Sequence, residues 1–251
     1  ACLFVLLSFN VKALVVNDCT WVGDVCVNGE FYSHDFSGTN LSLRFSDGIL
    51  LNSLFENSTG ALYFNYTNAD NSNFSHSNLH IGVMENASLR NANFTSFNGS
   101  FVLYNADLTN SDFSNSTISG YAGDVNFTNA NFNNANINLT FEGSTFNNTS
   151  FKNAILFADG GDLQHFGGSD FCGAELNYSG FNPSYGNPFS GSEYCESTSF
   201  NINQYVVEIW NGENFDFEYV DFNPNDFGMI FVSEVPLPAG IYLFLSGLVG
   251  L

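Results

Sequence analysis

Positive charge is what this chain most conspicuously lacks. It has 4 Lys+Arg against 25 Asp+Glu, for a formal net charge of −21. Neutralising nucleic-acid phosphates needs clustered Lys and Arg, so direct nucleic-acid binding is excluded. The same shortage removes any polybasic patch for an anionic membrane surface. Catalytic signatures are missing as well: no GxSxG, HExxH, Walker or GxGxxG pattern occurs. The four histidines, His34, His76, His80 and His165, are scattered. His76 and His80 have helical ligand spacing, but on a β-coil they point in different directions and read as solvent-exposed polar filler. Asp221-Phe222-Asn223-Pro224-Asn225-Asp226 starts like a calcium loop, yet it lacks the glycine at position six and has Val232 in place of the final glutamate. No catalytic, cofactor-binding or metal-binding residue is assigned, and no cofactor is expected. The acidic surface is expected to attract cations non-specifically.

What the chain does have is apolar and aromatic. Of its 251 residues, 44% are hydrophobic and 17% aromatic, enough to bury a core and unlike a disordered acidic tail. There are 29 Phe and 37 Asn, a bias that signals a repeat.

The repeat has a step of five. Apolar centres fall in one phase at Phe74, Leu79, Met84, Leu89 and Phe94, and Phe64 extends that phase backwards. After a slip come Leu108, Phe113 and Ile118, and after another Phe127, Phe132 and Ile137. A final block runs through Phe146, Phe151, Leu156, Phe166, Phe171, Leu176 and Phe181, interrupted at Gly161. A period of five matches neither an amphipathic helix nor a flat strand. It fits a coil that turns a corner every five residues, with the large centre and the small residue two before it pointing inward. Four such faces make a coil of about twenty residues, and coils stack at about 4.8 Å. Slips near 95–103, 119–125 and 138–144, which contain Gly99, Gly120, Gly123 and Gly143, are expected to be bulges or short loops. Arg90 and Lys152 fall at outward positions.

Units such as Ala92-Asn93-Phe94, Ala130-Asn131-Phe132 and Ala106-Asp107-Leu108 resemble the A(D/N)LXX pattern of the pentapeptide-repeat family over roughly residues 62–181. The resemblance implies an all-β fold, a right-handed quadrilateral parallel β-helix. Around it, residues 14–61 are expected to form an N-terminal cap with short strands in WVGDVCVNGEF and LSLRFSDGILL. Residues 182–232 are expected to be a C-terminal cap or spacer with a strand at 204–210.

Both ends suggest export. Residues 1–13 read as a truncated signal peptide, an apolar run ending in Val11-Lys12-Ala13. Residues 233–251 hold two prolines and then a short apolar run, expected to be a truncated transmembrane segment or short hydrophobic helix. The residues Val235, Pro236, Leu237, Pro238 and Ala239 resemble the VPLPA variant of the PEP-CTERM sorting signals. That resemblance implies recognition and cleavage by an exosortase-type transpeptidase. It also implies a gram-negative host, a transient inner-membrane anchor and a surface or extracellular destination.

Five cysteines occur. Cys2 lies in the expected signal peptide. Cys19, Cys26, Cys172 and Cys195 remain, and in an exported chain they suggest Cys19–Cys26 and Cys172–Cys195 bridges, one of three possible pairings. Zinc is the rival reading, though no CxxC pair exists. Thirteen Asn-x-Ser/Thr sequons arise from the repeat itself and are not read as glycosylation sites.

The function expected is that of an exported, non-enzymatic surface or matrix protein. Its acidic wall would meet polysaccharide, cations or other proteins. Two other classes remain: a DNA-mimicking topoisomerase inhibitor, implied by the family resemblance, and a polysaccharide-acting β-helix enzyme.

Overall fold

Asparagine builds the corners. Among the described residues, nineteen non-glycine residues have positive φ, and thirteen of them are Asn, among them Asn52, Asn57, Asn71, Asn91, Asn110, Asn115 and Asn134. Asn enters this left-handed region with less penalty than other side-chain-bearing residues, because its short amide can hydrogen-bond locally. At two corners of each coil the turn closes with a backbone bond, as Ser111 N–H to Leu108 O (3.1 Å) and Ser116 N–H to Phe113 O (3.2 Å). At many of these corners an Asp or Asn three residues before the left-handed position supports it. Its side-chain oxygen accepts the N–H two residues on, as Asn93 does from Thr95 (2.9 Å) and Asp112 from Ser114 (2.9 Å). An acceptor oxygen is all this requires, so Asp and Asn interchange there. Replacing Asn115 (φ 58) with Gly is expected to change stability by a few tenths of a kcal/mol. Asn115→Val is expected to cost about 1–2 kcal/mol. Urea unfolding of the two variants checks this.

The computed structural model describes residues 20–22, 25–160, 166–179, 189–200, 205–210, 215–220, 223–227 and 229–232. They form a right-handed parallel β-helix of about eight turns, a rod roughly 38 Å long at about 4.8 Å per turn. The strands are β1 (Thr20–Val22), β2 (Val25–Val27), β3 (Asn40–Ser46), β4 (Thr59–Asn65), β5 (Asn78–Glu85), β6 (Asn98–Tyr104), β7 (Thr117–Gly123), β8 (Asn136–Glu142), β9 (Ile155–Gly160) and β10 (Glu175–Ser179). They continue with β11 (Glu193–Tyr194), β12 (Ser199–Phe200), β13 (Tyr205–Trp210), β14 (Phe215–Val220) and β15 (Ile230–Phe231). One sheet runs β1 to β10 in sequence order and ends on β12. Its pairs are parallel from β2 onwards, while β1 pairs antiparallel with β2. β13 and β14 form an antiparallel pair, and β15 lies parallel to β11.

The coil is one residue shorter than four fives. Asn40 pairs with Thr59, Asn98 with Thr117 and Thr117 with Asn136, each nineteen residues apart. Two of the four expected sides run together as one straight strand of seven residues, with inward residues two apart, such as Leu41, Leu43 and Phe45. A straight strand needs no corner residue, so one position drops out of each turn. This corrects the reading of the phase slips. The segments 95–103, 119–125 and 138–144 are not loops; most of each lies in one of the long strands β6, β7 and β8. The bulge instead lies between Ile81 and Val83 in β5, inside the stretch that kept perfect phase. There Asn78 pairs with Asn98, twenty residues on, so the unbroken step of five marks the coil with an extra residue. Gly82 permits it: a Cβ there would lie 2.1 Å from the Tyr63 ring.

The segment 14–61, expected to be a cap, carries coil from Val25 onwards. β2, β3 and β4 stack in parallel, and Phe31, Phe36, Leu50 and Phe55 are buried at repeat positions. The one-residue shortening in each coil hid these centres from a strict count of five. At the other end β13 occupies the strand expected at 204–210. The C-terminal hydrophobic helix, the sorting motif and the signal peptide lie outside the described residues.

Inside, like stacks on like. Phe36, Phe55, Phe74, Phe94, Phe113, Phe132, Phe151 and Phe171 form one column with neighbouring rings stacked at 4.6–5.3 Å. A second column runs Phe127, Phe146, Phe166 and Phe189. The small inward positions are filled by Ala, Ser or Thr, and several of the buried hydroxyls find carbonyls of the adjacent coil. Ser72 donates to Leu50 O (2.7 Å) and Thr149 to Phe127 O (2.8 Å).

Candidate functional site

Stacking turns single residues into columns, and each wall of the rod is a set of them. Phe74, Leu79, Met84, Leu89, Phe94, Leu108, Phe113, Ile118, Phe127, Phe132, Ile137, Phe146, Phe151, Leu156, Phe166, Phe171 and Leu176 are all buried. They are scaffold rather than surface. Phe181 lies outside the described residues.

The two short walls and their corners carry much of the acid. Their outward residues include Glu30, Asp35, Glu56, Asp70, Asp107, Asp112, Asp170 and Glu193. The two basic residues read as outward-facing bind acids of neighbouring coils. Arg90 Nη2 lies 2.6 Å from Asp70 Oδ2, and Lys152 Nζ lies 2.9 Å from Asp170 Oδ2. Burial pushes the Asp70 carboxyl up. Hydrogen bonds from the Arg90 guanidinium, the Ser88 hydroxyl and the Arg90 backbone N–H outweigh this and hold it below the ordinary carboxylate value. A depressed carboxylate stabilises the fold above its unfolded-state pKa and loses that contribution as pH falls through the folded one. The stability difference between wild type and Asp70→Asn is therefore expected to be full at neutral pH and to vanish in strong acid. Chemical denaturation across that range checks it.

The corner between the two short walls carries an amide column. Asn91 donates to Asn71 (3.2 Å), Asn110 to Asn91 (3.1 Å) and Asn129 to Asn110 (3.1 Å). These amides bind one another along the rod.

The long wall differs. Its outward columns over β3–β8 begin with Asn40, Thr59, Asn78, Asn98, Thr117 and Asn136, all exposed. Beside them run Ser42, Ala61, His80, Ser100, Ser119 and Asn138, and then Arg44, Tyr63, Val83, Val102, Tyr121 and Thr140. None of these eighteen residues is a carboxylate, although the chain has 25 Asp+Glu. His80 Nδ1 and Ser100 Oγ are 2.6 Å apart, so the His80 imidazole joins this polar array. His76 sits apart at a left-handed corner (φ 56). His34 is half-buried against Phe31 and Phe36, its ring centroid 5.1 Å from that of Phe31. At the wall's edge Tyr104 and Tyr121 pack with centroids 5.1 Å apart. The Tyr121 hydroxyl, hydrogen-bonded to Glu142, is pushed up to about 12 by that bond and then by burial. It therefore stays a donor. Sequence reasoning missed this wall because its columns are separated by nineteen or twenty residues. A count of neighbours along the chain does not see them.

Among the described residues no group of three or more His, Cys, Asp or Glu could hold a metal ion, and no helix is long and apolar enough to cross a membrane. Asn223 and Asp226, from the calcium-like segment, bond to each other's turn (Asp226 N–H to Asn223 O, 3.0 Å).

Cys172 and Cys195 occupy equivalent positions on adjacent coils and are joined by a disulfide with Cα atoms 4.9 Å apart. Cys26 is also disulfide-bonded; Cys19 lies outside the described residues.

No protein-family model matches the chain, and no curated protein matches it. Solved structures do. The plasmid-mediated fluoroquinolone resistance protein QnrB1 aligns over 66% of this chain and 92% of its own, with 13% identity and a TM-score of 0.35. HetL, a pentapeptide repeat protein involved in heterocyst differentiation regulation in the cyanobacterium Nostoc, aligns over 69% and 84%, with 13% identity and a TM-score of 0.31. A pentapeptide repeat protein of the Arabidopsis thaliana thylakoid lumen aligns over 59% and 68%, with 24% identity and a TM-score of 0.15.

Proposed function

We propose that this chain is an exported, non-enzymatic scaffold of the cell surface or extracellular matrix, whose solenoid walls serve as a structural or binding surface. The observation that carries this reading is the Cys172–Cys195 rung between adjacent coils. Disulfides form and persist in oxidising compartments and are rare in the cytosol of ordinary cells. The terminal residues support the same reading: the apolar Ala1–Phe9 stretch, and Val235–Ala239 as the motif an exosortase-type enzyme would recognise before releasing the chain from the inner membrane. The topoisomerase reading needs a cytosolic protein with carboxylates spread along the rod. It is disfavoured by the disulfides and by the absence of carboxylates from the first three outward columns of the long wall.

The test is fractionation of the host into cytosol, membrane, surface wash and medium, comparing wild type with Pro236→Ala/Pro238→Ala. Wild type is expected at the surface or in the medium, with the double variant held in the membrane fraction. Both proteins in the cytosol would overturn the reading and make topoisomerase inhibition the next assay.

A further inference from the structure

Three features of the long wall converge. First, its first three outward columns over β3–β8 include no carboxylate; Glu85 and Glu142 stand in the fourth column, at the ends of β5 and β8, and the neighbouring walls and corners are studded with acids. Second, its outermost column, Asn40, Thr59, Asn78, Asn98, Thr117 and Asn136, is exposed. It contrasts with the corner amides Asn71, Asn91, Asn110 and Asn129, which bind one another. Third, the next column runs in unbroken register from Ser42 to Asn138 and on to Phe157 in β9. The Phe157 ring is 45% exposed. The β5 bulge lies beyond both columns, so it does not disturb their spacing.

The result is a flat, uncharged strip of amides and hydroxyls. Its groups repeat about every 4.8 Å along the rod and about 7 Å across it. One end carries an open aromatic face, and Tyr63 and Tyr121 lie along one margin.

We propose that this strip binds a neutral, hydroxyl-rich polysaccharide chain lying along the axis of the solenoid. The inference deepens the surface-scaffold reading and rests on it. Charge chooses the polymer class. A chain of net charge −21 repels anionic polymers such as polyuronates, and a strip without ionic groups offers them no counter-charge. Amide and hydroxyl groups that both donate and accept match sugar hydroxyls, which do the same. An exposed ring presents an apolar platform for the C–H face of a pyranose. A periodic array also lets one polymer engage many weak sites at once, so modest contacts sum through effective concentration.

The experiment uses the purified full chain. Co-sedimentation is measured with microcrystalline cellulose and with chitin. Affinity electrophoresis is run through soluble mixed-linkage glucan and mannan, with polygalacturonate as the anionic comparison. Retention by at least one neutral polymer is expected, persisting at high salt, and no retention by polygalacturonate. Phe157→Ala and Asn98→Glu/Thr117→Glu should each weaken binding about tenfold, while Ser114→Glu on a short wall should leave it unchanged. Circular dichroism establishes that each variant keeps the fold. Failure to bind any neutral polymer would overturn the proposal. So would equal binding by wild type and strip variants, preference for polygalacturonate, or partition of the wild type into growing ice without glycan binding. Because the assay is done on purified protein, its failure leaves the export reading standing, and a cytosolic location would leave the binding result standing.

Discussion

Gly120→Ala is expected to cost about 3–5 kcal/mol and to open the solenoid at its middle. Gly120 has φ +123, where a side chain is strained, and a Cβ there would lie 2.0 Å from the carbonyl oxygen of Phe101 in the coil before. The obstacle is backbone, which cannot swing aside as a flexible side chain would. The position is not an isolated oddity. In the preceding coil, Phe97 stands where other turns carry Ser or Ala, and it stacks on Phe101 with centroids 5.1 Å apart. Gly99 leaves room for the Phe97 ring, which would lie 2.8 Å from a Cβ there, and Gly120 leaves room for the Phe101 backbone. A methyl at 120 therefore meets a layer that is already full, and its relief would require separating β6 from β7. Each coil is held by its neighbours alone, so the damage divides the rod rather than spreading evenly. Urea unfolding followed by hydrogen exchange should show protection lost first in β6 and β7. Gly38→Ala is the comparison: its φ is +67, but nothing lies within 4 Å of its Cβ, so its cost should stay near that of the strained backbone, about 1 kcal/mol. Equal stability of Gly120→Ala and wild type would show that the close approach of these coils is wrong.

Phe113→Ala should lower stability by a similar amount, about 3–5 kcal/mol, for the opposite reason, a cavity. Phe113 is buried, stacked on Phe94 at 4.6 Å and on Phe132 at 4.8 Å, and edge-on to Phe101 at 6.0 Å. Rings held on both faces cannot close the gap without shortening the rise per coil, which backbone hydrogen bonds set. Phe113→Leu keeps most of the volume and should cost about 1–2 kcal/mol. Removing Phe94 as well should cost less than the sum of the two single changes, because the two cavities share a wall; the coupling is expected at about 1 kcal/mol. Phe36 has a stacked neighbour on one face within this column, Phe55 at 4.8 Å. Phe36→Ala should therefore be the milder change. Thermal and urea unfolding of these variants would measure the gradient, and a flat series along the column would refute the stacked arrangement.

Much of the fold was legible because the repeat is written in residue type. Asn at the corners, Asp or Asn three residues earlier, Ala or Ser inward and Phe or Leu at the centre each answer one local need. What misled was arithmetic. Counting strictly in fives made Leu79 to Met84 look regular and Ile118 to Ala122 look broken, yet the first spans a bulge and the second a straight strand. The same error assigned Phe31, Phe36, Leu50 and Phe55 to a cap. Whether two five-residue sides meet at a corner or fuse into one strand depends on what the adjacent coil offers for pairing, and that partner is nineteen residues away.

The sequence by itself therefore determined the class of the fold and most of the inward residues, because these follow from local turn chemistry and burial; the stacking of coils decided that Cys172 meets Cys195. Tertiary structure decided which outward residues share a wall. A column exists only once coils are stacked, and a single residue more or less per turn would move Asn98 out of line with Asn78 and Thr117. The acidic short walls and the uncharged strip formed by the first two columns of the long wall are products of that nineteen-residue register.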